Sequence, residues 1–194
     1  MTHREAFRTF ATQESVAVLW ALLCLLLGLR IAAGFGGHPP EASDLLAIVV
    51  TVVGHHILEW VAHRFVLHGR RGFLYRYHRA HHARPHDPRF IFMPVLYAVG
   101  LLLIVMTSLR PLVGPGTTLT VGLTAVTLGI LYEWVHYLTH QPIRPVTWLG
   151  RKLKKHHMLH HFKNERYWFG VTARYVDTVL QTNPKQNDVG THRS

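Results

Sequence analysis

Ten histidines in this chain fall at spacings that suit metal binding. They come in four groups: His63 and His68 in HRFVLH, His78, His81 and His82 in HRAHH, His136 and His140 in HYLTH, and His157, His160 and His161 in HMLHH. A neutral imidazole offers one nitrogen lone pair and suits iron, zinc, copper or nickel. On a helix of about 3.6 residues per turn, positions i, i+3 and i+4 share a face. The pattern H-x-x-H-H, present twice, therefore aims three rings one way, and His136 shares a face with His140. His63 and His68, at i and i+5, stand roughly 140° apart on an ideal helix. They meet only if the helix end unwinds, which Gly69 would allow, or they serve different ions. So many nitrogens exceed the needs of one ion and suit two. A protonated patch of this size would repel itself, whereas metal binding keeps the rings neutral.

Other chemistry-bearing residues are fewer. His56, Glu59 and His63 form a stripe at i, i+3 and i+7. Glu59 is placed to accept a hydrogen bond from a ligand's second nitrogen, and Glu133, before His136, is placed to do the same. Pairing with a nearby arginine is the alternative for both. His55, His86 and His156 adjoin the groups but fall off the pattern, and His3, His38 and His192 read as solvated. Arg89 or Lys154 could hold an acidic head group, though solvated charge explains them as well. Cys24 is the single cysteine, which excludes an internal disulfide framework. No H-E-x-x-H, G-x-S-x-G or Walker pattern occurs, and Asp44, Asp87 and Asp177 are too dispersed for a carboxylate dyad.

What must position these groups is mostly apolar. Hydrophobic residues make up 48% of the 194, charged ones 16%, and mean hydropathy is +0.12. Four runs approach the roughly 20 residues that cross a hydrocarbon core. They cover about 15–35, 44–65, 91–113 and 117–137, the last two divided by Gly114-Pro115-Gly116. Leu45 to Gly54 and Val95 to Met106 lack the polar face that a soluble bundle needs. A cleaved signal peptide is the alternative for the first run, but its length and the three later runs favour a retained span. The predicted fold is all-α: a four-helix transmembrane bundle with a histidine-rich helical cap, one domain over 1–181, and a loose polar tail from 182 to 194.

Charge sets the orientation. The chain carries +11. Arg4 and Arg8 precede the first span, Arg70 to Arg89 follow the second, and Arg144 to Arg174 follow the fourth. The loop near Gly36 to Asp44 has no basic residue, and Arg110 is alone between the third and fourth spans. Arg30 is expected to snorkel from the first span. Both termini and the histidines then face the cytoplasm, and the net charge needs no nucleic-acid partner.

The order H-x4-H, H-x2-H-H, H-x3-H, H-x2-H-H resembles the fatty acid hydroxylase/sterol desaturase superfamily of membrane di-iron enzymes. YHRAHH followed by PHDPR, YEWVHYLTH and KKHHMLHHFKNERYWFGVT carry the likeness, which spans about Glu59 to Thr182 and is nearest the bacterial fatty-acid-hydroxylase branch. The resemblance implies that the ten histidines are ligands to two iron ions, with zinc possible in their place. It implies an O2-dependent monooxygenase acting on a fatty acyl chain or related lipid, with a desaturase or oxidase of lipid or sterol as the alternative on the same site. Electrons would come from a separate cytochrome b5- or ferredoxin-like protein, and the setting would be the bacterial inner membrane. A non-catalytic metal transporter or sensor is the competing class. Transporters, however, place binding groups near the bilayer midplane, whereas these groups fall at span ends and in loops.

Overall fold

A computed structural model describes residues 1–192, and within them the chain is helical with no strand beyond one isolated bridge, Asn164 to His192. The helices are α1 (His3–Ala11), α2 (Glu14–Phe35), α3 (Ala42–Val61), α4 (Phe73–Ala83), α5 (Pro88–Ile91), α6 (Val95–Thr139), α7 (Trp148–Phe162) and α8 (Arg174–Val179). A π-helical turn, Ala62–Leu67, continues α3. Three segments, Glu14–Phe35, Ala42–Leu67 and Pro88–Thr139, are long and apolar enough to cross a membrane. The third contains both the third and fourth expected runs. The unexpected α1 starts with a reciprocal cap, Thr2 N–H to Glu5 and Glu5 N–H to the Thr2 hydroxyl.

The chain forms two compact units. One comprises 10–55 and 93–131. Its helices leave large apolar side chains exposed, including Leu45, Leu46, Leu96 and Leu112, as lipid-facing helices do. Gly114 is non-helical (φ 76°, ψ 171°), a conformation glycine adopts without a Cβ penalty, and Pro115 restarts the helix. Met106 Sδ lies 2.7 Å from where a Cβ on Gly122 would sit. In a straight helix those positions would be about 24 Å apart. The chain therefore folds back at Gly114, and the glycine leaves room for the methionine.

Arg30 does not snorkel. It is buried in this unit, with Nη2 2.8 Å from Asp44 Oδ2, Nε 3.0 Å from Thr120 Oγ1, and Nη1 3.0 Å from the His38 carbonyl. A paired, hydrogen-bonded guanidinium can stay among apolar helices where a bare one could not.

The second unit comprises 1–9, 56–92 and 132 onward, and it holds every histidine group described above. Its apolar core includes Trp60, Phe169, Ala173 and Val176. The stretch from 182, expected to be loose, packs back within this unit. Thr182 is buried and accepts from the Trp168 N–H and the Trp60 indole, and His192 N–H donates to the Lys163 carbonyl. Arg193 and Ser194, the end of that expected tail, lie outside the described residues.

Candidate metal centre

The ten histidines meet in two pockets of five. The first is His63, His68, His78, His82 and His160; the second is His81, His136, His140, His157 and His161. Within each pocket the candidate ligand atoms lie within 4.8 Å of one another.

Local backbone explains how each ring arrives. His68 N–H bonds to the His63 carbonyl at 3.0 Å, the i to i+5 pattern of a π-turn. The wider turn brings two residues that an α-helix would splay onto one face. His136 and His140 use the ordinary i, i+4 spacing at the end of α6. The two H-x-x-H-H motifs do something the spacing alone did not show. In α4, His78 and His82 enter the first pocket while His81 enters the second. In α7, His157 and His161 enter the second while His160 crosses to the first. The three rings of each motif thus aim the same general way but serve two centres. Each pocket takes one pair from a span end, one i, i+4 pair from the following motif and one ring from the other motif.

The nitrogen geometry fits a cation. His78 Nε2 is 3.1 Å from the Nε2 atoms of His63, His68 and His82. His68 and His160 are 2.9 Å apart at Nε2, as are His140 and His157. A neutral ring has one hydrogen to give and cannot satisfy three neighbours. Nitrogens each about 2.0–2.1 Å from a shared ion and at right angles to one another would be about 2.9 Å apart. Both ring nitrogens of His81 and of His161 are buried without a hydrogen-bond partner among the described residues, a costly arrangement unless a cation is the partner. Burial, and then the neighbouring imidazoles, push the rings of His68, His78, His81, His82, His157, His160 and His161 well below the ordinary histidine range. Neutral rings are ligands; charged ones are not.

Behind the first pocket runs a loop. Nδ1 of His63 donates to the Phe169 carbonyl at 2.5 Å and Nδ1 of His160 to the Tyr167 carbonyl at 2.8 Å. A carbonyl can only accept, so Nδ1 carries the hydrogen and the Nε2 lone pair faces the pocket. Asp177, fully buried, accepts from the N–H groups of Phe169 and Gly170, from Thr182 Oγ1 and from His156 Nε2 at 2.8 Å. Burial alone would raise its carboxyl; the hydrogen bonds from His156 and Thr182 lead those that hold it below the ordinary value. Gly170 is required there, since a Cβ would meet Asp177 Oδ2 at 2.8 Å.

Two expectations about the outer groups change, those for Glu59 and His56. Glu59 does not reach a ligand ring: its carboxylate accepts from the N–H groups of Val171 and Thr172 and from the Thr172 hydroxyl, so it holds the same loop. His56 pairs with the Tyr175 hydroxyl at 2.9 Å. Glu133 is buried on α6, three residues before His136. His156, off the ligand pattern, and Asp177, too far along the chain from the other aspartates for a dyad, instead pair with each other. The signal available was small: His156 directly precedes a histidine motif, and Asp177 is one of only two acidic residues in the last 25, with Asp188.

Among the described residues, a helical chain with membrane-length apolar segments and two imidazole pockets able to hold metal fits the class of membrane proteins with a metal-binding centre. The fatty acid hydroxylase family profile matches residues 48–182, most of the chain. The dihydroceramide fatty acyl 2-hydroxylase FAH1 of Arabidopsis thaliana is 29% identical over 188 residues, covering 92% of this chain and 76% of that protein. The ceramide very long chain fatty acid hydroxylase SCS7 of Saccharomyces cerevisiae is 29% identical over 155 residues, covering 72% of this chain and 39% of its own length. In shape the chain is similar to the visible hydroxylase domain of full-length scs7p, with a TM-score of 0.70, 23% identity and coverage of 90% of this chain and 69% of that one. The chain belongs to the fatty acid hydroxylase family, and as such is an oxidoreductase, a lipid hydroxylase.

Proposed function

We propose that this protein hydroxylates the fatty acyl chain of a membrane lipid using O2 and two iron ions held by the ten histidines. The observation that carries this reading is the convergence of neutral imidazole nitrogens in two adjacent pockets. When bound, the irons would supply activation of O2 and oxidation of an unactivated C–H bond. Overall, the C–H bond, O2, two electrons and two protons yield an alcohol and water. The protein's own part is to keep the rings neutral, set the tautomers of His63 and His160, and keep bulk water from the buried nitrogens. The name of the Arabidopsis relative, a fatty acyl 2-hydroxylase, favours the carbon next to the acyl carbonyl as the position oxidised.

Residues 1–181 act as one membrane-embedded domain in this reading. The fold-back at Gly114 makes the Pro88–Thr139 segment two spans, giving four in all. The arginine-rich stretches on either side of the histidine motifs then lie in the cytoplasm with both termini, at a bacterial inner membrane. Exposed Arg70, Arg71 and Arg79 offer a face for an acidic electron-transfer protein of the cytochrome b5 or ferredoxin type.

The test is expression in a host lacking 2-hydroxylated lipids, with lipid mass spectrometry. A new hydroxy fatty acid with the wild type, absent with His81→Ala and with His160→Ala, is expected. An unchanged lipid profile alongside altered cellular metal content would favour a metal transporter instead.

A further inference from the structure

The two pockets differ in what stands behind their rings. In the first, the rear nitrogens of His63 and His160 are held by backbone carbonyls of one loop, and His82 Nδ1 lies 3.8 Å from a Glu165 oxygen. In the second, Nδ1 of His81, His140, His157 and His161 has no hydrogen-bond partner among the described residues. The His136 ring lies near the Ile91 carbonyl without closing a hydrogen bond.

The loop behind the first pocket is itself clamped at several points. Asp177 takes its Phe169 and Gly170 N–H groups, and Glu59 takes those of Val171 and Thr172. Trp168 sits at φ 59°, a costly conformation for a bulky residue, and is pinned by its own N–H to the Thr182 carbonyl. Strain of this kind persists only where the surroundings over-determine the backbone. Such clamping lowers the freedom that two ligand rings lose on binding an ion, and it fixes their tautomer in advance.

We propose that the two metal sites are unequal: the loop-backed first pocket retains its ion under conditions in which the second releases its own, and Asp177 is the positioning residue that makes the difference. This rests on the reading of the pockets as metal sites. Asp177 touches no ligand ring, so it acts through the Phe169 and Tyr167 carbonyls. The loss of an outer partner of this kind weakens metal retention by roughly 10–100-fold.

The experiment uses the full chain in detergent, loaded with zinc and then exposed to a chelator, with zinc per chain followed over time. Release in two phases of about one ion each is expected, the slow phase about tenfold or more slower than the fast. His140→Ala, a second-pocket residue outside the His82–His161 ring stack, should lose the fast phase and keep the slow one; His160→Ala should do the reverse. Asp177→Ala should speed the slow phase by about tenfold or more while leaving the fast phase in place, and Asp177→Asn, which keeps one acceptor oxygen, should fall between. The wild-type release profile is decisive even if an Asp177 variant fails to fold, and Glu59→Gln tests the loop from its other anchor. Both ions leaving wild type in one phase would overturn the proposal. So would a slow phase that survives in His160→Ala or is unchanged in a folded Asp177→Ala. A chain that takes up no zinc would overturn the metal reading itself, and this proposal with it.

Discussion

The rings of His82 and His161 lie face to face, centroids 4.0 Å apart and planes 16° apart, while belonging to different pockets. They form a shared wall between the two centres. Replacing either by Ala should therefore lower the metal content of both pockets, and should cut hydroxylation by more than the roughly 10–100-fold that loss of an outer partner costs. Metal analysis of the purified variants checks this. Loss of one ion with the other fully retained would show that the wall is not shared.

The turn at His63 and His68 depends on tight backbone packing. A Cβ at Gly69 would meet the Phe65 carbonyl oxygen at 2.5 Å and the Val66 oxygen at 3.2 Å. Gly69→Ala should thus shift His68 away from the other four rings of the first pocket. The expected result is about tenfold weaker retention of one ion, with the second pocket unaffected. Zinc release from the variant measures it.

Acid should destabilise the metal-free protein. Burial pushes the His82 ring down to about 3 and the His68 ring to about 2. An ordinary histidine, as in the unfolded chain, titrates near 6.5. Between those values the unfolded chain binds protons that the folded chain refuses, so stability rises with pH and is lost as pH falls below about 6.5. Thermal melting of the metal-free protein should occur at a clearly lower temperature near pH 5 than near pH 7.5, with little further change above that. A melting temperature independent of pH over this range would contradict the burial of neutral rings.

The Arg30–Asp44 pair should matter to stability and not to chemistry. Removing one member leaves the other buried and uncompensated, at a cost of about 3–5 kcal/mol. Arg30→Leu or Asp44→Leu alone should lower the yield and melting temperature of the detergent-solubilised protein. The double variant should recover much of the loss. Double-variant stability no better than the worse single variant would mean that the Thr120 and His38 contacts dominate.

Much of this protein is legible along the chain. Apolar runs of membrane length, the glycine break at 114 and the histidine spacings all follow from local rules: side-chain hydropathy, the steric freedom of glycine and the period of a helix. Those rules place His78, His81 and His82 on one side of α4, but they say nothing about which neighbour each ring meets. Packing of α4 against α7 decides that His81 and His160 cross to opposite pockets. Tertiary structure also converts the turn after α3 from α to π, turns Glu59 toward a loop over a hundred residues later, and pairs Arg30 with Asp44 when it could have reached for the interface. Asp177 and His156 were invisible for the same reason. A lone carboxylate and an off-pattern histidine acquire meaning only from contacts distant in sequence, and no local spacing encodes those.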